Sequence, residues 1–207
     1  MRKNTIYPVQ RSTSFLDSFL RERNINASDL KVGMHPGTDK RGKERRLDVN
    51  KFVEIGDYLC DKYKAQVLVF LGPHEEDLKS DFLSSTKHRP VIVEKMEIEK
   101  VAQLISICNI FISSDSGLMH IASAMGVPTV AVFGPTNPVL VRPWGVPHEI
   151  VRLGLECSPC FVFTEKHSLN EPLIECKIEE KFACMKRIES RVVLDKVEKM
   201  IRMLYSL

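Results

Sequence analysis

Four short turns hold the side chains that could do chemistry: HPGT at 35–38, GPHEE at 72–76, SDSG at 114–117 and GPT at 134–136. Each follows an apolar run, and each joins Gly or Pro to His, Glu, Asp or Thr. The fullest is NIFISSDSGLMHIASAMGVPTVAVFGPT, residues 109–136. Ile110, Phe111 and Ile112 are too few for a helix and read as a strand covered on both faces. Ser113 to Gly117 supply the caps and freedom with which a helix begins. Leu118, Ile121, Ala122 and Met125 then recur at helical spacing until Gly126 and Pro128 stop the helix. A helix N-terminus at the carboxyl end of a parallel strand presents free N–H groups to an anion. The competing reading is an ordinary crossover in which Asp115 only caps. Neither the P-loop pattern nor G-x-G-x-x-G occurs, which removes the main support for an NTPase or dehydrogenase. No G-x-S-x-G elbow occurs, and no spacing links Ser116 to His120 as its base, so a serine hydrolase is disfavoured. An anion held by turns and helix ends, with Arg and His nearby, is what remains.

These turns need elements to position them. Residues 12–24 put Phe15, Leu16, Phe19 and Leu20 on one face behind a Ser or Thr cap, as in an amphipathic helix. The pattern then predicts a strand over Leu30–Met34, a helix over Val49–Tyr63 and a strand over Val67–Leu71. A helix over Asp77–Ser84, a strand over Val91–Val93 and a helix over Ile98–Ser106 follow, and lead into the unit above. Helix and strand alternate with short connections through Phe133, which argues for a Rossmann-like α/β fold, a parallel sheet with helices on both faces. All four turns would then lie on one sheet edge, where such folds bind ligands. After Trp144 the pattern dissolves into a stretch with Cys and Pro, and a closing helix is expected over Arg191–Leu204.

The chain has 207 residues, 43% of them hydrophobic, enough for one substantial core. Its net charge of +3 comes from 30 basic and 27 acidic residues without a long block of one sign, so nucleic acid is not implied. The basic cluster KRGKERR, Lys40 to Arg46, reads as a solvated loop. No run approaches the ~20 apolar residues of a membrane span, and MRKNTIYPVQ lacks the apolar region of a signal peptide, so a cytoplasmic protein is the default expectation. The six cysteines fit that compartment as free thiols or metal ligands. Cys60 and Cys108 fall in apolar helix patterns and are expected in the core.

In combination, HPGT, RRLDVNKF, LGPHEE and SSDSGLMHIASAMGVPTVAVFGPTNP resemble glycosyltransferase family 9, the heptosyltransferase-type GT-B enzymes of lipopolysaccharide core assembly. The D-S-G-x-x-H-x-A-x-A-x-G-x-P block is the specific part, and the similarity runs from roughly Ser14 to Cys184. The resemblance implies the C-terminal, donor-binding half of a GT-B fold, a nucleotide-sugar ligand such as ADP-heptose, and no cofactor. Matched residue by residue, Thr38 falls at a threonine that contacts donor phosphate. Arg45 falls at a phosphate-binding lysine when Phe52 sets the register, and Leu47 replaces a tryptophan. Glu75 matches the acid that bonds the nucleoside, with Glu76 competing, and Met96 a residue that packs on the base. Asp115, Ser116, Gly117 and His120 match the diphosphate and sugar loop. Arg45 and His120 would stabilise the leaving group.

The resemblance further implies an N-terminal domain that supplies the acceptor site and general base. No Asp before residue 31 reads as sitting on a strand-end turn. Residues 1–30 are expected to be an interdomain helix and linker remnant, 31–190 the nucleotide-sugar domain with a Cys-containing segment at 157–184, and 191–207 the C-terminal helix. Donor binding without efficient transfer is the expectation, with a lipid-linked saccharide as acceptor and a site of action at the cytoplasmic face of the inner membrane, including peripheral association with it. Cys157, Cys160, Cys176 and Cys184 read first as part of the family fold, with a four-thiolate metal site as the alternative.

Overall fold

A computed structural model describes residues 13–38, 42–161, 176 and 178–205. Along the chain these form α1 (Thr13–Glu22), β1 (Lys31–His35), α2 (Val49–Tyr63), β2 (Gln66–Phe70), α3 (Glu76–Ser85), β3 (Val91–Val93), α4 (Ile98–Ser106) and β4 (Ile110–Ser114). They continue through α5 (Gly117–Ala124), β5 (Thr129–Val132), α6 (Pro138–Val141), β6 (His148–Val151), α7 (Ala183–Lys186) and α8 (Ser190–Tyr205). The six strands form one sheet in the order β3-β2-β1-β4-β5-β6, every pairing parallel. This is the Rossmann-like arrangement that the alternation of patterns predicts. Part of the basic cluster, Lys40 and Arg41, lies outside the described residues.

The two-residue period of the strands sorts their side chains onto two faces. Val32, Met34, Val67, Val69, Ile110 and Ile112 point to one core, shared with the inner faces of α2, α3 and α8. Leu68, Phe70, Val91, Val93 and Phe111 point to the other, where Leu16 and Phe19 of α1, Leu104 and Ile105 of α4 and Ala122 of α5 close over them. Cys108 is buried in that second core, whereas Cys60 is only half-buried and donates to Ala65 O at 3.3 Å.

Past Trp144 the structure corrects the sequence reading. His148–Val151 is a parallel edge strand, with His148 paired to Thr129 and Val151 to Val132. Its residues are only partly buried up to Val151, so no apolar run marks it. Glu149 is instead held by Lys196 and Lys199 of α8 at 2.9 and 2.6 Å.

Helix α8 is joined to α2 by a polar cluster in a largely apolar seam. Glu198 accepts from Tyr58 Oη and Lys62 Nζ, each at 2.6 Å, and from Tyr63 Oη at 3.2 Å. The Lys62 and Tyr58 hydrogen bonds hold the Glu198 carboxyl down at about 2, against 4.5 for a free side chain. A depressed carboxyl pKa stabilises the fold above the unfolded value and loses that contribution as pH falls toward the folded one. Glu198→Gln is expected to cost about 2 kcal/mol at neutral pH. Melting curves should show the gap from wild type closing between pH 4.5 and about 2; a gap constant with pH would contradict this account.

Candidate functional site

The strand order reverses direction between β1 and β4, and at that point the chain splits apart above the carboxyl ends of the strands. A cleft of about 910 Å3 opens there, within the size range of small-molecule sites. Its lining includes an apolar set, Val93, Met96, Ile98, Val101, Leu118 and Ile121, and a polar set, Thr38, Lys43, Arg46, Glu75, Ser116 and Gly117. A smaller recess of about 320 Å3 lies at the opposite end of β2, beside Gln66 and Val67, away from every strand-end turn. Its one buried carboxylate, Asp57, is already engaged by Thr86 Oγ1 at 2.6 Å and Lys87 N at 3.1 Å.

The polar groups of the site are organised by two consecutive arginines that part company. A single 3-10 turn, Lys43–Arg45, is followed by Arg46 in extended conformation, φ −76° and ψ 131°. That change of backbone direction sends the neighbouring side chains to different partners. Arg45 Nη1 pairs with Asp115 Oδ2 at 3.1 Å, while Arg46 Nη2 reaches Glu75 Oε1 at 3.3 Å. Arg46 also donates from Nε to Thr38 Oγ1 and from Nη2 to Thr38 O, both at 3.2 Å. The loop is tied to the sheet where Leu47 N donates to Ser114 Oγ at 3.0 Å.

Glu75 is buried, and its second oxygen accepts from Gly72 N at 2.7 Å. A Cβ on Gly37 would stand 1.9 Å from Glu75 Oε1, so the carboxylate lies where only a glycine leaves room. His35 closes β1 beneath it, Nδ1 2.8 Å from Phe70 O, and burial pushes its pKa below the usual histidine value. At the start of α5 the N-cap is Ser116 in extended conformation, with no side-chain cap bond. Ser116 Oγ instead shares a hydrogen bond with Ser113 Oγ at 2.9 Å. The first N–H groups of α5 are therefore left to other acceptors, beside the cleft that Ser116 and Gly117 line.

Residues 7–170 match the model of glycosyltransferase family 9 (heptosyltransferase). The chain belongs to this family. Among curated relatives, it is 28% identical over 175 residues to lipooligosaccharide heptosyltransferase 2 of Campylobacter jejuni, covering 82% of this chain and 51% of that protein. It is 25% identical over 127 residues to lipopolysaccharide heptosyltransferase 2 of Escherichia coli, covering 59% and 36%. The fold of E. coli ADP-heptose lps heptosyltransferase II superposes with a TM-score of 0.70 at 20% identity, over 94% of this chain and 53% of that one. The family 9 chain described here thus spans about half the length, or less, of the relatives it matches.

Of the family 9 positions singled out in the sequence, Thr38, Glu75, Met96, Ser116 and Gly117 line the cleft. Arg45 and Asp115 form their own pair beside it, and His120 is exposed in the first turn of α5, outside the cleft lining. Asp115 is not the N-cap of α5, which is Ser116, and its side chain holds Arg45. Glu76 is exposed at the start of α3, in contrast to buried Glu75. The reading of KRGKERR as a solvated loop fails for Arg45 and Arg46, whose side chains are only 14% and 13% exposed. Sequence reasoning assigned no role to Arg46, Lys43, His35 or Lys95, all of which line the cleft. Arg46 carried one usable signal, its position next to Arg45, but the backbone turn that separates the two has no sequence signature.

Among the described residues, no group of three or more His, Cys, Asp or Glu is placed to hold a metal ion. Cys157 and Cys160 are exposed thiols, and Cys176 and Cys184 are buried. Cys176 Sγ accepts from Phe182 N at 3.2 Å, and burial, then the neighbouring cysteines, push Cys184 up to about 11. This segment buttresses the last turn: Cys160 N and Phe161 N both donate to Pro135 O at 2.9 Å. No helix among the described residues is long and apolar enough to cross a membrane.

Proposed function

We propose that this chain is the donor-binding part of an inverting family 9 glycosyltransferase, taking a nucleoside diphosphate sugar, an ADP-heptose, for lipopolysaccharide or related saccharide assembly. The mixed lining of the cleft carries this reading. Its apolar side chains, Met96 and Ile98 among them, suit a base, and its polar groups, Thr38, Lys43, Arg46 and the start of α5, suit a diphosphate. Glu75 would accept from the nucleoside.

Transfer breaks the bond from the anomeric carbon to the diphosphate, so negative charge grows on the leaving group as the sugar becomes cation-like. Arg45, Arg46, His120 and the N–H groups of α5 are the donors assigned to that charge. One such oriented donor is worth ~3 to 4 kcal/mol in the transition state. Asp115 and Glu75 are each already engaged by an arginine. Neither is poised to take a proton from an acceptor hydroxyl. The general base and the lipid-linked acceptor are therefore assigned to groups outside this cleft, and donor binding without efficient transfer is expected of these residues alone, at the cytoplasmic face of the membrane. The same engaged carboxylates favour a second reading, a nucleotide-sugar binding module that catalyses nothing; transfer by this chain mixed with an acceptor-type domain would exclude it.

Thermal melting against ADP, UDP, GDP and an ADP-sugar tests the donor site. A ligand at ~100 times its dissociation constant adds ~2.7 kcal/mol to the folded state. For a chain of this size the melting point should rise by roughly 5 to 11 °C. A rise selective for ADP compounds is expected; a cooperative melt that no nucleotide shifts would overturn the proposal.

A further inference from the structure

We propose that His35 reads the sugar of the bound nucleotide: its Nε2 accepts a hydrogen bond from a ribose hydroxyl, so that His35 and Glu75 together select a ribonucleotide. This rests on the cleft being a nucleotide-sugar site. His35 is the last residue of β1, 5% exposed, and lines the cleft. Its Nδ1 lies 2.8 Å from Phe70 O, and a carbonyl oxygen can only accept, so Nδ1 carries the proton. In the neutral ring Nε2 is then an acceptor. Burial, which disfavours the charged imidazolium, keeps the ring in that form at neutral pH.

Among the described residues Nε2 has no hydrogen-bond partner. It is not among the fully enclosed polar atoms that lack a partner, so it opens to the cleft, where water or a ligand can satisfy it. Phe70 ends β2 and is fully buried, so the ring is held by a rigid strand rather than a loop. Beside it, each oxygen of Glu75 accepts one bond, from Arg46 and from Gly72 N, and a carboxylate can accept more. The ligand atoms that meet two such acceptors must be donors. Phosphate oxygens are excluded by this requirement, whereas the vicinal hydroxyls of ribose satisfy both acceptors at once.

The test is calorimetric titration of wild type, His35→Asn and His35→Gln with the nucleoside diphosphate that wild type binds and with its 2′-deoxy and 3′-deoxy forms. Asn keeps a donor for Phe70 O and leaves nothing at the Nε2 position, whereas Gln can place an acceptor oxygen there. Wild type should bind one deoxy form about tenfold more weakly than the parent, a hydrogen bond's worth. His35→Asn should bind the parent about as weakly and no longer distinguish that deoxy form, and His35→Gln should recover part of the ratio. Equal affinity of wild type for all three nucleotides, or an Asn variant that keeps the wild-type ratio, would overturn the assignment. The wild-type series needs no substitution, so a poorly folded variant does not remove the test. Failure to bind any nucleotide would instead count against the donor-site reading itself.

Discussion

Arg46→Met is expected to destabilise the fold by about 3 kcal/mol and to weaken nucleoside diphosphate binding at least ~30-fold. Methionine keeps the stem of the side chain and removes the guanidinium. Glu75, 4% exposed at its side chain, would then hold a negative charge with only the Gly72 N–H beside it. Breaking one side of a buried pair is costlier than the pair is worth, because the remaining charge stays desolvated. For a chain of this size the melting point should fall by roughly 6 to 12 °C. The double variant Arg46→Met/Glu75→Gln separates the two effects. A neutral amide no longer needs the cation, so most of the stability should return while nucleotide affinity stays low. Arg45→Met is the comparison: Arg45 is also assigned to the leaving group, but it is paired to Asp115 and lies outside the cleft lining, so its loss should weaken binding less than the loss of Arg46. A larger loss of affinity there than at Arg46 would move the diphosphate to the Asp115 side. An unchanged melting point for Arg46→Met would show that Glu75 is not held by this pair.

The contrast between these arginines marks what the sequence could reveal. The β1–β4 half of the sheet was legible because Met34, Leu68, Val69, Phe111 and Ile112 sit in apolar runs with turn residues at their ends, and Val49–Tyr63 and Ile98–Ser106 have unbroken helical periodicity. Edge strand β6 was not, because a strand with one neighbour needs no apolar run, and Glu149 there serves the lysines of α8. The cleft was legible as a set of turns on one edge, since parallel strands put every carboxyl end on the same side. Which of two adjacent arginines faces it depends on one residue leaving a 3-10 turn for extended backbone. Periodicity cannot supply that. His35 could be placed in a strand-end turn from sequence, but its hydrogen bond to Phe70 O depends on β1 and β2 being paired in one register.

That register also makes Gly33 the position where a single methyl group should do the most damage. Gly33 pairs with Phe111 across β1 and β4 and with Leu68 across β1 and β2, in the middle of the sheet. A Cβ built on it would stand 2.5 Å from Phe111 Cδ2, 2.9 Å from Cε2 and 3.0 Å from Cys108 Sγ. The Phe111 ring lies over the glycine and is itself fully buried, with the Phe70 ring 5.5 Å away, so it has nowhere to swing. Overpacking of this kind costs up to about 3 kcal/mol, and Gly33→Ala is expected at that end of the range. Relief should come from Phe111→Leu, which shortens the obstructing side chain. The double variant should therefore lose at least ~1 kcal/mol less than the two single losses added together, as expected for residues in contact. Strict additivity would mean that β1 itself shifts to admit the methyl group. Because β1 ends at His35, with Thr38 three residues beyond, such a shift would displace both from the cleft. Nucleotide affinity distinguishes these responses: a side-chain adjustment leaves it near wild type, whereas a displaced strand lowers it.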